Sequence, residues 1–195
     1  VVRGRRMCRS FLDAPIDPSA LGRVLDAGRR APSAGNTAGT HFVVLAGPAE
    51  TARYWDVTLP AVRRPSFRWP RLLAAPVLVL PIADSSAYLS RYAESDKAHT
   101  GLGAGEDRWP TPYWTVDTAF AAMSILLAAR DEGLGALFFG IFGRSADLLA
   151  ELGVPDGMAP IGTIALGHAA EDDQPGRSAS RRRPALDDVV HRGGW

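Results

Sequence analysis

Residues 117–135 read DTAFAAMSILLAARDEGLG, and no other stretch limits the fold so tightly. Asp117 is placed to cap a helix, and Gly133 and Gly135 are placed to end it. Between them Phe120, Met123, Ile125, Leu126 and Leu127 occupy almost every face. A helix that is apolar all round has to be covered on all sides, by a core or by an oligomer interface. Its apolar run is too short to cross a bilayer, as is LLAAPVLVLPIA at 72–83. The chain must therefore build layers around this helix.

The rest of the sequence offers those layers. Asp17-Pro18 opens a helix by capping chemistry, with Leu21, Val24, Leu25 and Gly28 on one face. HFVVLAG at 41–47 reads as a buried strand ended by Gly47-Pro48. Residues 48–70 begin helically and turn rich in Pro, Arg and Trp. PVLVLPIAD at 76–84 is a second buried strand, and Pro76 suggests an edge strand or a strand start. ALFFGIF at 136–142 and PIGTIALGH at 160–168 are further strands, with the helix SADLLAELGVP between them. Residues 84–114 hold Tyr88, Tyr92, Trp109, Tyr113 and Trp114 amid Gly, Asp, Glu and Arg, and read as a long irregular excursion, a candidate lid. Strands and helices alternate without internal repeat, so the class is α/β or α+β in three layers. With 195 residues and 46% hydrophobic content, one domain over 1–195 is expected, with 171–195 as a polar C-terminal extension.

Several chemistries are disfavoured. GLGAGE at 101–106 follows no strand and opens no helix, so it is not a dinucleotide fingerprint. His41, His99, His168 and His191 never fall at metal-ligand spacing, and no metal site is expected. No G-x-S-x-G elbow surrounds Ser33. Cys8, the one cysteine, reads as a small packed residue. A net charge of +1 argues against a general nucleic-acid binder. No signal-peptide pattern opens the chain, and a cytoplasmic protein is the expectation.

What remains is an arginine cluster at each end, VVRGRRMCRSF and RSASRRRPALDDVVH. Lys97 is the only lysine, so the positive charge is nearly all guanidinium, which grips phosphate or carboxylate through a planar fork. The clusters could meet on one anion, or be two solvated ends.

The ordered set RGRRMCRSF, APSAGNTAGTHFVVL, DTAFAAMSILLAARDEGLGALFFG and RRRPALDDVVH resembles the nitroreductase family of flavin enzymes over nearly the whole chain. The resemblance implies an α+β, three-layer α/β/α sandwich with a central, mostly antiparallel sheet, in an intertwined homodimer. It implies bound FMN at the dimer interface, with NADH or NADPH as a transient hydride donor. Arg5 and Arg6 match the family's phosphate-contacting pair. Arg181 and Arg183 are the C-terminal counterparts, and the triple arginine leaves their register open by one. Arg9 matches the basic residue aimed at flavin N1 and O2, where it would stabilise the charge of the reduced ring. Pro32, Ser33, Ala34, Gly35 and Asn36 match the loop that touches the neighbouring subunit's flavin. Phe139 and Gly140 match the turn facing flavin N5.

Three positions depart from the pattern. Met7 stands where a cofactor-contacting serine is usual, TAGTHF follows Asn36 in place of Gln-Pro-Trp, and 84–114 is the least typical segment. The implied activity is ping-pong hydride transfer through flavin N5 to an electron-poor small molecule such as a nitroaromatic or quinone. Arg9 and Gly140 would be the groups nearest the chemistry. The alternatives on the same fold are an oxygen-using oxidase or dehydrogenase, a dehalogenase, or a flavin-fragmenting enzyme like dimethylbenzimidazole synthase. A non-catalytic flavin-binding protein is the alternative of a different class.

Overall fold

The computed structural model describes residues 1–141 and 143–195, with Arg177 described by its backbone alone. Its one sheet contains β1 (Thr40–Ala46), β2 (Val77–Asp84), β3 (Gly135–Phe139), β4 (Met158–Pro160) and β5 (Thr163–Gly167). The strand order is β1-β2-β5-β3, with β4 joined to β2, and every pair is antiparallel. The described residues form five α-helices, α1 (Pro18–Arg29), α2 (Pro48–Thr58), α3 (Ser85–Ala93), α4 (Tyr113–Asp131) and α5 (Ser145–Glu151).

Strand geometry sends successive side chains to opposite faces. Val77 and Val79, with Ile164 and Leu166, pack on Val24 of α1 and Ile125 of α4. Leu78, Leu80 and Ile82 pack on Tyr54 and Trp55 of α2 and Leu148 of α5. Both faces of β2 are thus covered, which is why its apolar run is unbroken. The layers are α1 and α4, the sheet, then α2 and α5. Helices α1 and α4 approach closely at Gly28, where a Cβ would lie 2.7 Å from Ile125 Cγ1.

The structure decides one alternative and corrects two expectations. Strand β2 is central and paired on both sides, and Pro76 immediately precedes it, so Pro76 marks a strand start and its missing N–H removes nothing from the ladder. Helix α4 begins at Tyr113, so Asp117 is no cap but a buried residue in its second turn. The extra turn forms because Tyr113 and Trp114 pack against Trp109. Within the single chain the core covers α4 only in part, leaving Phe120 48% and Met123 40% exposed. The segment 84–114 is not irregular throughout. It holds α3, capped by Asp84 through the N–H groups of Ser86 and Ala87. It also holds 3-10 turns at 98–100, 102–104 and 106–108, and a core of Tyr88, Tyr92 and Trp109. Of the glycines of GLGAGE, Gly103 serves the packing on α3, since a Cβ there would lie 2.6 Å from the Ala93 nitrogen.

The predicted strand 136–142 is realised as β3 up to Phe139, and its last residue, Phe142, lies outside the described residues. No helix of the described residues is long and apolar enough to cross a membrane.

Candidate functional site

The N-terminal arm runs along the outer edge of the sheet. Met7 bridges Ala136 of β3, and Phe11 bridges Ala169 just beyond β5. The Cys8 N–H donates to Ala136 O at 2.9 Å, and Leu12 N–H to His168 O at 2.9 Å. Met7 packs into both main core clusters, which accounts for a thioether where the family has a hydroxyl. The Cys8 thiol is buried, and desolvation pushes its pKa up to about 11, as suits a packing residue and not a nucleophile.

Three of the arm's four arginines, Arg5, Arg6 and Arg9, have different surroundings. The Arg5 Nη1 is buried and has no hydrogen-bond partner among the described residues. Arg6 pairs with the Asp173 carboxylate. The Arg9 guanidinium lies 5.4 Å from the Trp69 ring centroid, donates to Met7 O at 3.3 Å, and packs against Gly176.

Asp173 is the residue that sequence reasoning missed. Its side chain is 1% exposed. Besides Arg6 it accepts the N–H groups of Arg9 at 2.7 Å and Ser10 at 2.9 Å. A buried carboxylate needs donors of this kind to offset its lost hydration. Its neighbour Asp172 takes the Ser10 hydroxyl at 2.6 Å and Arg71 at 3.2 Å. The two ends of the chain do meet, but through Asp173 and Gly176. Arg181 and Arg183 are exposed and lie beyond that junction in the tail. The one signal available beforehand was the acidic run Glu171-Asp172-Asp173 just after the last strand, in a chain whose other end is basic.

The loop at 32–38 sits by the opposite edge strand, before β1. Ser33 Oγ accepts the Ala38 N–H at 2.9 Å. The Ala34 N–H donates to Asp117 at 2.7 Å, and the Tyr88 hydroxyl donates to the same carboxylate oxygen at 2.7 Å. Gly35 has φ +63°, and a Cβ there would lie 2.9 Å from the Tyr92 ring, so glycine is required twice over. Its carbonyl accepts Arg91 Nε at 3.0 Å. Asn36 also has a left-handed φ of 54°. Pro32 and Ser33 line a small cavity of about 50 Å³ with Gly28, Thr40 and Asp117.

Phe139 ends β3 and stacks on Trp55, with centroids 6.1 Å apart and planes 3° apart; Gly140 follows it. The arm therefore lies at the start of β3 and this turn at its end. A single chain does not bring arm and 32–38 loop together, because β3 and β1 are the two ends of the strand order. A cleft of about 660 Å³ lies elsewhere, between Pro18 and Leu21 of α1, Thr51 and Trp55 of α2, and Ala74–Val77. None of the residues expected from the sequence lines it.

Comparison with known proteins adds the following. A sequence model of the Nitroreductase family matches residues 2–168. A protein of Archaeoglobus fulgidus, provisionally named NADH dehydrogenase/NAD(P)H nitroreductase, is 26% identical over 98% of this chain and 94% of its own. Among solved structures, a nitroreductase-like protein of Streptococcus mutans superposes with a TM-score of 0.75 at 18% identity, covering 96% of this chain and 93% of that one. A provisionally assigned nitroreductase of Desulfovibrio desulfuricans, solved in complex with FMN, superposes with a TM-score of 0.69 at 23% identity, covering 97% and 93%.

Proposed function

Since the chain belongs to the nitroreductase family, we propose that it is an FMN-dependent oxidoreductase, driven by NADH or NADPH and reducing an electron-poor small molecule such as a nitroaromatic or quinone. The observation that carries this reading is the buried, unpartnered Nη1 of Arg5. A guanidinium donor withdrawn from water calls for an acceptor, and a phosphate dianion supplies it through charge-assisted hydrogen bonds. The residues present fit the FMN phosphate on that ground.

When bound, FMN supplies two-electron chemistry, accepting hydride from the nicotinamide and yielding it to the acceptor. The chain's own residues do the rest. Arg5 would bind the phosphate. Arg9, fixed by Trp69 and Gly176, would hold a positive charge near the ring, where reduction adds negative charge. Gly140, after Phe139, would present backbone without a side chain to the ring. Ala34, Gly35 and Asn36 present backbone and a short amide to a flat surface, held there by Asp117 and Arg91. Segment 84–114 governs acceptor choice, since α3 carries the groups that hold this loop.

The working unit in this reading is a homodimer. Arm and loop lie by opposite edge strands of one sheet, so a single cofactor served by both needs two chains. The exposed stripe of Tyr113, Phe120 and Met123 on α4 provides the apolar surface for that pairing.

The test is direct. Purified protein should be yellow, hold about one FMN per chain, and bleach on anaerobic addition of NADH or NADPH. A nitroaromatic or quinone should restore the colour. A colourless protein that cannot be reconstituted with FMN would overturn the reading.

A further inference from the structure

We propose that Asp173 is a positioning residue that sorts the N-terminal arginines, binding Arg6 away from the cofactor and leaving Arg5 as the phosphate ligand of the arm. The inference rests on the FMN reading above and divides between two residues a role that the resemblance gives to both.

The arm supplies two adjacent guanidinium groups, and the structure treats them oppositely. Arg6 is committed to a carboxylate whose side chain is 1% exposed. Arg5 keeps a buried donor with nothing to bind. Adjacent residues on an extended strand point to opposite sides, so an anchor on one fixes the direction of the other. Asp173 adds to that anchor by accepting the N–H groups of Arg9 and Ser10, which sets the backbone two and three residues beyond Met7. The Ala170 N–H, donating to Ser10 O at 2.9 Å, closes the same junction from the C-terminal side. Asp173 is itself held, since its N–H donates to Ala170 O at 3.0 Å. One carboxylate thus fixes the arm at Arg6, Arg9 and Ser10. Among the arm's arginines in the described residues, Arg5 is the one that keeps a buried donor without a partner.

The arrangement also has an electrostatic consequence. Without Asp173, Arg6 would compete for the phosphate and draw the arm out of register. With it, selectivity for a phosphorylated flavin depends on Arg5 and on the geometry Asp173 imposes. A merely structural role would weaken FMN and riboflavin equally. A positioning role weakens FMN alone, because riboflavin has the same ring and no phosphate.

The experiment measures dissociation constants for FMN and riboflavin by fluorescence quenching, in wild type and in Arg5→Ala, Arg6→Lys and Asp173→Asn. Arg5→Ala should cut the preference for FMN over riboflavin by at least about 30-fold. Asp173→Asn should cut it by about tenfold or more, with riboflavin affinity little changed. Arg6→Lys keeps a cation for Asp173 and should hold the preference within about threefold. The proposal is overturned if Asp173→Asn leaves the preference intact or weakens both flavins alike. It is equally overturned if Arg6→Lys loses as much as Arg5→Ala. Should Asp173→Asn fail to fold, the Arg6→Lys and Arg5→Ala comparison still decides which arginine holds the phosphate. Wild-type protein that binds neither flavin would overturn the cofactor reading itself, and this proposal with it.

Discussion

The Tyr88 hydroxyl donates to Asp117 Oδ2 at 2.7 Å, and that oxygen also accepts the Ala34 N–H at 2.7 Å. One carboxylate of α4 thus joins α3 to the loop that carries Ser33, Gly35 and Asn36. Burial first, and the Asp117 carboxylate second, hold the Tyr88 phenol well above its usual pKa, so it stays a donor at every working pH. Tyr88→Phe should destabilise the protein by about 1–3 kcal/mol, because a buried carboxylate loses a donor. Asp117→Ala should cost more, leaving two buried donors unpaired. Tyr113→Phe keeps the apolar ring that α4 offers to the pairing, and should stay within about 0.5 kcal/mol. Urea unfolding of the three variants checks the order, and equal effects of Tyr88→Phe and Tyr113→Phe would refute it.

Much of this fold is legible in the residues. Asp17 caps α1, Gly47 ends β1, and Gly133 closes α4 with φ +74°, each where turn and cap chemistry places it. What was not legible is mostly long-range. Asp117 carries the local signature of a cap, and only its pairing with Ala34, 83 residues away, turns it into a buried clamp. The aromatic residues of 84–114 have no strong period, yet they pack into a core because Tyr88, Trp109 and Trp114 meet edge to face. Asp173 sits in a polar stretch that reads as solvated, and its burial depends on an arm 163 to 167 residues away.

Gly28 tests the closeness of α1 and α4. In an exposed helix, Gly→Ala gains about 1 kcal/mol from propensity. Here the new Cβ would lie 2.7 Å from Ile125 Cγ1, 2.9 Å from its Cδ1 and 3.0 Å from Phe42 Cζ. Gly28→Ala should therefore destabilise by about 1–3 kcal/mol. Combined with Ile125→Ala, the total should fall below the sum of the single effects, as touching sites couple. Simple additivity in chemical denaturation would show that the helices do not meet there.

Cys8 predicts an alkaline limb. Burial raises its pKa from 9.0 to about 11. Between those values the unfolded chain has lost the proton and the folded chain keeps it. The unfolded state then binds fewer protons, so stability falls as pH rises. The fall attributable to Cys8 is of the order of 2–3 kcal/mol between pH 9 and 11. Cys8→Ala should flatten that part of the profile in urea titrations at fixed pH steps, while an unchanged slope would place the effect elsewhere.

The α4 stripe predicts assembly. Phe120→Asp should convert the proposed homodimer to a monomer in light scattering, because a carboxylate placed within an apolar interface lacks a partner. FMN should be lost with the dimer, since arm and loop then no longer face one cofactor. A monomeric Phe120→Asp protein that keeps FMN would show that one chain completes the site alone.

Arg9 separates binding from chemistry. Its guanidinium is already held by Trp69, Gly176 and Met7 O, while its backbone N–H is tied to Asp173. Arg9→Gln removes the charge and keeps that backbone tie, so the arm should stay in place and oxidised FMN should bind nearly as before. The charge matters more once the bound flavin has gained electrons, when a nearby cation offsets the added negative charge. The variant should therefore have a lower flavin reduction potential, and for this two-electron couple a shift of about 30 mV corresponds to roughly 1.4 kcal/mol. Reduction by NADH or NADPH should slow by a similar order, about tenfold, in anaerobic stopped-flow measurements. If Arg9 were instead a phosphate ligand, oxidised FMN would be lost with little change in potential. If it only packed on Trp69, thermal stability would fall and neither flavin property would move.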